Sequence, residues 1–432
     1  MKLSEEVVKR VIQAVEDLKP DMAVFLRDFI RIETENPPGN NYEECTQFLG
    51  DRMKSLGCDV TYVKVPAELQ SHILPDSLQY PRISVIGKMK GENERPLIHF
   101  SGHYDVVPAG QGWDFPPYEA IMQDNIIYGR GASDMKSGVA AQIFIMETIK
   151  RCQFKLIGTL VSSSTPDEET GGELGMGYLT KSGWLTKDNT DYCIITEPLD
   201  YDRICIGHRG TFWFKIIVKG IQSHGSMPSE GHNAISGMLR VLNAIEEKIK
   251  PQLQKKSQYN ISPPAARYST LSTTMIAAGT KVNTIPNECS ASFDWRLIPE
   301  QSVDWAKNEI ITICDRLKVK GDLLDYDIQT ILEVDPTVVE EDQRIINAFK
   351  SAGNKILGKE MEINLSPGMD DQRFVVKNGG LTQTIVYGPG RLTQAHKINE
   401  SIDMGEFAET VKIMTLATLE LIGFKEEFSQ KD

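Results

Sequence analysis

Apolar segments that end in polar residues alternate with helix-like segments in the first half of the chain, and this alternation restricts the fold most strongly. The segments 97–107 (LIHFSGHYDVV), 155–164 (KLIGTLVSSS) and 191–198 (DYCIITEP) read as strands, and 137–151 (SGVAAQIFIMETIKR) reads as a helix. Near-continuously apolar strands separated by helices predict an α/β fold with a mixed, mostly parallel sheet flanked by helices. Because ligands of such sheets bind beyond the carboxyl ends of the strands, the polar residues there are the first candidates for function.

From about residue 205 the pattern becomes that of a small α+β layer. Residues 203–220 predict two strands, 269–279 and 288–298 predict further strands, and 232–250 and 302–318 predict helices. This is the β-α-β-β-α-β order of a ferredoxin-like unit, which often serves as an inserted lid or dimerisation module.

The last hundred residues return to mixed helix and strand, so an insertion explains the order better than two domains in tandem. A chain of 432 residues is also long for a single core. We therefore predict a discontinuous domain that carries the chemistry, formed by 1–206 and 326–432, interrupted by a lid or dimerisation domain of 207–325.

Composition limits the partners of the chain. With 40% hydrophobic and 25% charged residues it has the composition of a globular protein, and its net charge of -13 argues against nucleic acid and anionic membranes. Residues 1–33 alternate charged and apolar residues at helical spacing, which is typical neither of a signal peptide nor of a membrane span. We therefore expect a cytoplasmic protein. Seven cysteines, scattered singly without a C-x-x-C pair, predict reduced thiols and no sulfur-ligated metal.

A histidine and two aspartates follow the first predicted strand and the glycine-rich segment after it. His103 and Asp105 lie two residues apart at a strand end, where Asp105 could orient the imidazole of a metal-bound His103. Taken alone, these two residues are more often a structural His-Asp pair. Asp134 follows two glycines in YGRGASDMKSG and opens a helix, so it is either a helix N-cap or a carboxylate that projects from the sheet edge.

Three consecutive acids, Asp167, Glu168 and Glu169, follow the second predicted strand in STPDEETGG. Neighbours on a regular strand point to opposite faces, so Glu168 and Glu169 could not serve one site there. Pro166 stops regular pairing and the glycine pair 171–172 permits a tight turn, which would allow both acids to converge. The alternative is a solvated acidic loop.

Glu197 ends the third predicted strand, and His396 lies in the late turn-rich segment YGPGRLTQAHKINE. Acids follow successive strand ends, and histidines lie at the first strand end and in a late loop. This pattern is difficult to explain as ordinary solvent-exposed charge. If Asp134 bridges two metals, each metal receives three protein ligands and keeps room for water. Nitrogen and carboxylate ligands without thiolate fit Zn²⁺, with Co²⁺ or Mn²⁺ as substitutes, and leave Glu168 free to act as a base. The five candidate ligands are His103, Asp134, Glu169, Glu197 and His396.

These segments resemble one enzyme family along essentially the whole chain. The blocks SGHYDVVPAG, YGRGASDMKSG, STPDEETGG, IITEP, GIQSHGSMPSEGHNAI, KVNTIPNE, FDWRLIPEQS and YGPGRLTQAHKINE are similar, in order, to those of the zinc amidohydrolases and metallopeptidases. That family includes acetylornithine deacetylase, succinyl-diaminopimelate desuccinylase, aminoacylase and glutamate carboxypeptidase. The resemblance implies a di-zinc exopeptidase-like fold and hydrolysis of the amide bond of an N-acyl-L-amino acid.

The resemblance also implies roles for the residues of the candidate site. His103 and Glu197 would ligate one zinc, and Glu169 and His396 the other, with Asp134 between them. Glu168 would be the general base that activates a metal-bridged water, and Asp105 would orient His103. The resemblance further implies a cis peptide bond between Asp134 and Met135.

Residues of the inserted domain are implied to complete the site. His224 would reach the active site of the other subunit of a homodimer and polarise the scissile carbonyl. Asn283 and Arg296 match positions that bind the substrate carboxylate, and Gly390 matches a loop that shapes the acyl pocket. Relatives often read G-G-T-D-A-R where this chain reads PGMDDQRF (367–374), so Arg373 aligns with the usual substrate-binding arginine across a changed motif.

Other functions remain open at this point. A carboxypeptidase, dipeptidase or aminopeptidase would use the same fold, although Glu rather than Asp at 197 favours a deacylase or carboxypeptidase. A non-catalytic relative should have lost ligands or the base, and none is missing. A two-metal phosphoesterase is less consistent with the sequence, because no phosphate-binding glycine loop is present.

Overall fold

The structure is a computed structural model, and it describes residues 3–74 and 77–426. In these residues the α-helices are α1 Glu5–Arg31, α2 Tyr42–Ser55, α3 Ala67–Ile73, α4 Lys136–Arg151, α5 Met176–Lys181, α6 Ala234–Ala244, α7 Val303–Val319, α8 Arg344–Leu357, α9 Gln372–Lys377 and α10 Met404–Ile422. The strands of the same residues are β1 Asp59–Lys64, β2 Ile83–Met89, β3 Leu97–His103, β4 Ile121–Gln123, β5 Ile126–Tyr128, β6 Phe154–Leu156, β7 Thr159–Thr165, β8 Tyr192–Ile195, β9 Arg203–His208, β10 Gly210–Lys219, β11 Ser223–His224, β12 Thr270–Ala278, β13 Thr284–Ile285, β14 Glu288–Leu297, β15 Asp325–Val334, β16 Thr337–Val338, β17 Glu362–Ser366, β18 Thr384–Val386, β19 Ser401–Asp403 and β20 Phe424–Glu426.

Two compact units divide the chain. Unit 1 consists of Met1–Ile206, Val339–Ile363 and Asp370–Asp432, and unit 2 consists of Gly207–Val338 and Asn364–Met369. Each unit is described by itself below.

Unit 1 is built on a mixed sheet in the order β1-β2-β7-β3-β8-β18, followed by the beginning of β9. The central strands β7, β3, β8 and β18 are parallel, and β1, β2 and β9 run antiparallel to their neighbours. This confirms the predicted α/β fold. His103 pairs with Thr165 and Ser101 pairs with Ile195, so β3, β7 and β8 end at the same edge of the sheet.

Helices α1, α4 and α10 pack against one another beside this sheet. Ser4 caps the amino end of helix α1, since its hydroxyl accepts a hydrogen bond from the Val7 N–H at 3.2 Å, and Glu5 and Glu6 occupy the first turn. Helix α4 is buried along almost its whole length. Its first residue, Lys136, is fully buried and donates to the carbonyl oxygens of Phe29 (3.1 Å) and Ile32 (2.6 Å) at the end of α1. Lys136 therefore adds a side-chain donor to the carbonyl groups at the carboxyl end of α1.

Unit 2 is a four-stranded antiparallel sheet in the order β12-β14-β10-β15, with α6 and α7 in the connections. The chain order β10-α6-β12-β14-α7-β15 is that of a ferredoxin-like fold, which confirms the predicted α+β class. The aromatic rings of Phe212, Phe214 and Phe293 stack in its core, with centroids 4.5 and 4.9 Å apart.

Among the described residues, no helix has both the length and the apolar character needed to cross a bilayer.

Candidate metal centre

His103, the last residue of β3, is fully buried and has a carboxylate close to its outer ring nitrogen. Its Nε2 lies 3.2 Å from Asp134 Oδ1 and 3.5 Å from Glu197 Oε1. Its Nδ1 lies 2.9 Å from the main-chain carbonyl oxygen of Asp105 and 3.5 Å from the Asp105 carboxylate. The shorter contact, to the carbonyl, fixes the ring orientation, so the Nδ1 proton faces Asp105 and Nε2 faces the acids.

The three acids after β7 form a tight turn, which we call the acid turn (Asp167–Gly172). Residues Glu168–Thr170 make one 3-10 turn, and Asp167, Gly171 and Gly172 adopt positive φ angles of 69°, 108° and 69°. Because the backbone leaves the extended conformation at Asp167, neighbouring acids no longer alternate between faces. Ligand atoms of His103, Glu168 and Glu197 lie within 4.8 Å of one another, and so do those of His103, Asp134 and Glu169. Both glutamates therefore face the same cluster.

The buried carboxylate of Asp105 holds the first half of the acid turn. Its oxygens accept hydrogen bonds from the N–H groups of Glu168 and Glu169, each at 3.3 Å, and from Asn36 Nδ2 at 2.8 Å. Asp167 instead forms a buried ion pair with Arg82 at 2.7 Å. The three consecutive acids thus have different surroundings.

Asp134 lies before α4, in a segment held by Glu400. The Oε1 atom of Glu400 accepts from the N–H groups of Ser133 (2.8 Å) and Asp134 (2.9 Å), and Oε2 accepts from Arg130 at 2.6 Å. The peptide bond from Asp134 to Met135 is cis, as the resemblance implied.

His396 reaches the cluster from the loop between β18 and β19. Its Nε2 lies 3.0 Å from Glu169 Oε2 and 3.4 Å from Asp134 Oδ2. Its side chain is 54% exposed, whereas that of His103 is 1% exposed. Each oxygen of Asp134 therefore faces a different histidine, which is the geometry of a carboxylate placed between two metal positions.

The electrostatics of the cluster are dominated by buried negative charge. Burial raises the pKa of Glu168 and of Glu197 well above the usual range, and neighbouring carboxylates add to both shifts. Burial by itself would lower the pKa of His103, but the Glu197, Asp105 and Asp134 carboxylates outweigh it and raise that pKa well above its usual value. Among the described residues, the only ion-pair partners of Asp134, Glu169 and Glu197 are the two histidines.

The residues present fit two divalent cations. Four carboxylates gathered in a buried site are costly unless cations compensate them. Imidazole and carboxylate donors without thiolate suit zinc and related ions. The donor set, and not only the sequence order, therefore supports a metal centre.

The remaining predicted site residues of unit 1 lie in two segments. Gly390 lies in a turn with a φ angle of 94°. A Cβ added to it would lie 2.5 Å from Ser133 Oγ, so only glycine allows this turn to lie so close to the segment that carries Asp134. Arg373, in α9, is buried, and its Nη2 donates to the Gly171 carbonyl at 2.5 Å.

The predicted residues of unit 2 are described within that unit. His224 is exposed, and its Nδ1 lies 2.7 Å from the Ser226 hydroxyl and 3.2 Å from the Ser226 main-chain nitrogen. The Asn283 carbonyl accepts from the Gly225 N–H at 2.8 Å, because β11 and β13 pair at this point. Arg296 forms an ion pair with Asp294, in which Nε and Oδ1 lie 2.8 Å apart.

Sequence reasoning missed the side chains that support the cluster. Asn36 and Glu400 are buried and bind Asp105 and the Asp134 segment, and the buried Lys136 ties the start of α4, next to Asp134, to the end of α1. In the sequence, Glu400 lies close to His396 in HKINE, and Lys136 lies close to Asp134 in DMKSG. This closeness is the only sign in the sequence that either residue belongs near the site, and it does not specify a role.

Comparison with known proteins places the chain in a family. A model of peptidase family M20/M25/M40 matches residues 99–420. A succinyl-diaminopimelate desuccinylase of Psychromonas ingrahamii is 28% identical over 405 residues, which cover 92% of this chain and 98% of that protein.

Two solved structures show the likeness of fold. The dipeptidase Dug1p of Saccharomyces cerevisiae superimposes with a TM-score of 0.72 at 18% identity, over 96% of this chain and 98% of that one. The YXEP protein of Bacillus subtilis, a dinuclear metal binding peptidase, superimposes with a TM-score of 0.67 at 15% identity, over 94% of this chain and 99% of that one. The likeness of fold agrees with the family match. The chain belongs to peptidase family M20/M25/M40 and is a hydrolase that acts on amide bonds.

Proposed function

We propose that the protein removes the acyl group from an N-acyl-L-amino acid by hydrolysis at a two-metal centre. His103, Asp134 and Glu197 would hold one ion, and Asp134, Glu169 and His396 the other. The observation that carries the proposal is the position of Asp134, whose two oxygens face the two histidines at 3.2 and 3.4 Å while Glu168 lies in the same cluster. Zinc is the proposed ion, with cobalt or manganese as substitutes.

When bound, the ions supply Lewis-acid chemistry that lowers the pKa of water and draws charge from a carbonyl oxygen. Glu168 takes the proton from the water as its oxygen attacks the amide carbon. The carbon–nitrogen bond then breaks, and Glu168 returns the proton to the leaving amine. Glu168 suits this role because its carboxylate has no ion pair with lysine or arginine among the described residues, and because burial raises its pKa.

Substrate recognition is proposed from the motifs that resemble those of the family. In a homodimer, His224 of one subunit would donate to the scissile carbonyl oxygen in the active site of the other, and Asn283 and Arg296 would bind the substrate carboxylate. Gly390 would shape the acyl pocket. The desuccinylase relative supports a succinyl or similar acyl group on the substrate. A homodimer formed through unit 2, and a cytoplasmic location, remain predictions from the sequence.

A dipeptidase is the second candidate, because the Dug1p structure, a dipeptidase, shares the fold. Initial rates on N-succinyl and N-acetyl amino acids, compared with unblocked dipeptides, separate the two. The proposal expects kcat/KM to be higher for the N-acyl substrates. A preference for free-amine dipeptides would replace it with the dipeptidase assignment.

The variant Glu168→Gln tests the base directly. We expect kcat to fall by roughly a hundredfold to ten-thousandfold, because general base catalysis contributes about that much. The metal content, measured by elemental mass spectrometry, should stay at two ions per chain. Glu173→Gln is the matched control, because Glu173 is a nearby glutamate whose carboxylate pairs with Lys181 on the surface. Parent-like turnover by Glu168→Gln would contradict the assigned mechanism.

A further inference from the structure

We propose that Arg373 is a positioning residue, which fixes the second half of the acid turn so that Glu168 and Glu169 hold their places. This inference rests on the proposed function. It assigns to Arg373 a role different from the substrate contact that the resemblance implied.

The contacts of Arg373 point to the acid turn. Its guanidinium lies 4.4 Å from the centre of the Phe374 ring, and Nη2 donates to the Gly171 carbonyl at 2.5 Å. A carbonyl at the end of a tight turn has few internal partners, so a charged donor there is a strong restraint.

Arg373 extends from a firmly anchored helix. The Asp370 carboxylate accepts from the Gln372 N–H at 2.9 Å, and Gln372 Nε2 donates to the Thr384 carbonyl of β18 at 3.2 Å. Phe374 and Val375 belong to the apolar core beside the sheet. Helix α9 can therefore serve as a fixed support for the guanidinium.

The second half of the turn also packs directly against α9. A Cβ added to Gly172 would lie 2.5 Å from Asp371 Oδ1 and 2.8 Å from the Phe374 ring. Asp105 holds only the N–H groups of Glu168 and Glu169, at the first half. Arg373 and Asp105 thus hold the turn at its two ends.

This arrangement matters because one short turn carries two chemical roles. The proposed base and a proposed metal ligand are adjacent residues, so a shift of the turn displaces both. A misplacement of about 1 Å at reacting groups can cost on the order of a hundredfold in rate. Binding of a substrate carboxylate by Arg373 would instead change KM.

Kinetics of Arg373→Ala and Arg373→Lys separate these roles. If Arg373 positions the turn, Arg373→Ala should lower kcat by roughly 10- to 100-fold, with KM within about threefold of the parent. Arg373→Lys, which keeps a charged donor, should recover most of kcat. Both variants should act on an N-acyl amino acid and on its carboxamide in the parental ratio. A large rise in KM together with loss of discrimination between the acid and the carboxamide would overturn the proposal.

Hydrogen–deuterium exchange provides a readout that does not depend on activity. The N–H of Gly171 donates to the main-chain carbonyl of Glu168 at 2.8 Å, and the N–H of Gly172 donates to that of Asp167 at 2.6 Å, both inside the turn. Peptides that cover the acid turn should exchange about tenfold faster in Arg373→Ala than in the parent, and near the parental rate in Arg373→Lys. Exchange that is unchanged in Arg373→Ala would contradict the proposal.

Two controls keep the outcome interpretable. Arg151→Ala, which removes an exposed arginine of α4, should match the parent in kinetics and exchange. If Arg373→Ala does not fold, Arg373→Met keeps most of the side-chain volume and is used for the same comparison. Failure of the proposed function would appear as a parent enzyme without deacylase activity, whereas failure of this inference would appear as parental exchange in the acid turn.

Discussion

Glu400 is far from Asp134 in the chain, yet it stabilises the segment that carries this proposed ligand. Its carboxylate accepts from the Ser133 and Asp134 N–H groups and forms an ion pair with Arg130 in which both side chains are at most 3% exposed. Glu400→Gln keeps the shape and one acceptor oxygen but leaves the Arg130 guanidinium without a counter-charge. Breaking one side of a buried ion pair costs about 3–5 kcal/mol.

Urea unfolding of the metal-free protein, followed by far-ultraviolet circular dichroism, measures this loss. Burial raises the pKa of Glu400 to about 7, above its value in the unfolded chain, so the cost of burying the charge offsets part of the ion pair and the loss should lie at the lower end of this range. The comparison is made at a pH of about 8, where the carboxylate is ionised, and for a urea slope of about 3 kcal/mol/M the midpoint should fall by about 1 M. Metal binding should weaken by about 10- to 100-fold, because the partners of a metal ligand contribute that much.

Glu406→Gln is the matched control for Glu400→Gln. Glu406 also pairs with an arginine, but Arg391 is 54% exposed. Surface ion pairs contribute about 0–1 kcal/mol, so this variant should unfold within about 1 kcal/mol of the parent. If Glu400→Gln also unfolds within that range, the buried pair does not carry the stability assigned to it.

Two further predictions concern the acid turn and the sheet. Gly172→Ala should lower the urea midpoint and kcat more than Gly171→Ala, because both residues have positive φ but only Gly172 has no room for a Cβ; equal effects would contradict this packing argument. Burial lowers the pKa of His99 from 6.5 to about 3, so the unfolded chain binds more protons between these values and the stability contributed by neutral His99 is lost as the pH falls below about 6.5. His99→Gln, which can still bind Ser163, should flatten the decline in the free energy of unfolding between about pH 6.5 and 5 by up to about 1.4 kcal/mol per pH unit, and a decline as steep as that of the parent would refute it.

The central strands were predictable because they are buried on both faces and therefore almost continuously apolar. Their ends are visible in the sequence as the first polar residues, which is why His103, Glu197 and the acid turn were recognised as candidates. The segment 155–164 was harder, because β6 and β7 are separate strands divided at Ile157–Gly158, and β6 pairs with β20. That pairing depends on a partner near the end of the chain, which local sequence does not specify.

The supporting contacts of the site were not predictable for a similar reason. The shorter contact of His103 Nδ1 is with the Asp105 carbonyl, and a main-chain group leaves no mark in the pattern of side chains. Asn36 and Glu400 reach the site from distant loops, so only the folded chain brings them to Asp105 and Asp134. Residue types predicted the chemistry of the candidate centre, whereas its rigidity depends on tertiary contacts.

The order of the proposed ligands along the chain gives synthesis a role in assembly. His103, Asp134, Glu169 and Glu197 all precede unit 2, whereas His396 and Glu400 follow it. A nascent chain therefore exposes four of the five proposed ligands long before the last histidine, and the carboxylate that holds Asp134, leave the ribosome. If these residues hold the two ions, a chain released before residue 396 would lack one ligand of the second ion and the carboxylate that binds the Asp134 segment.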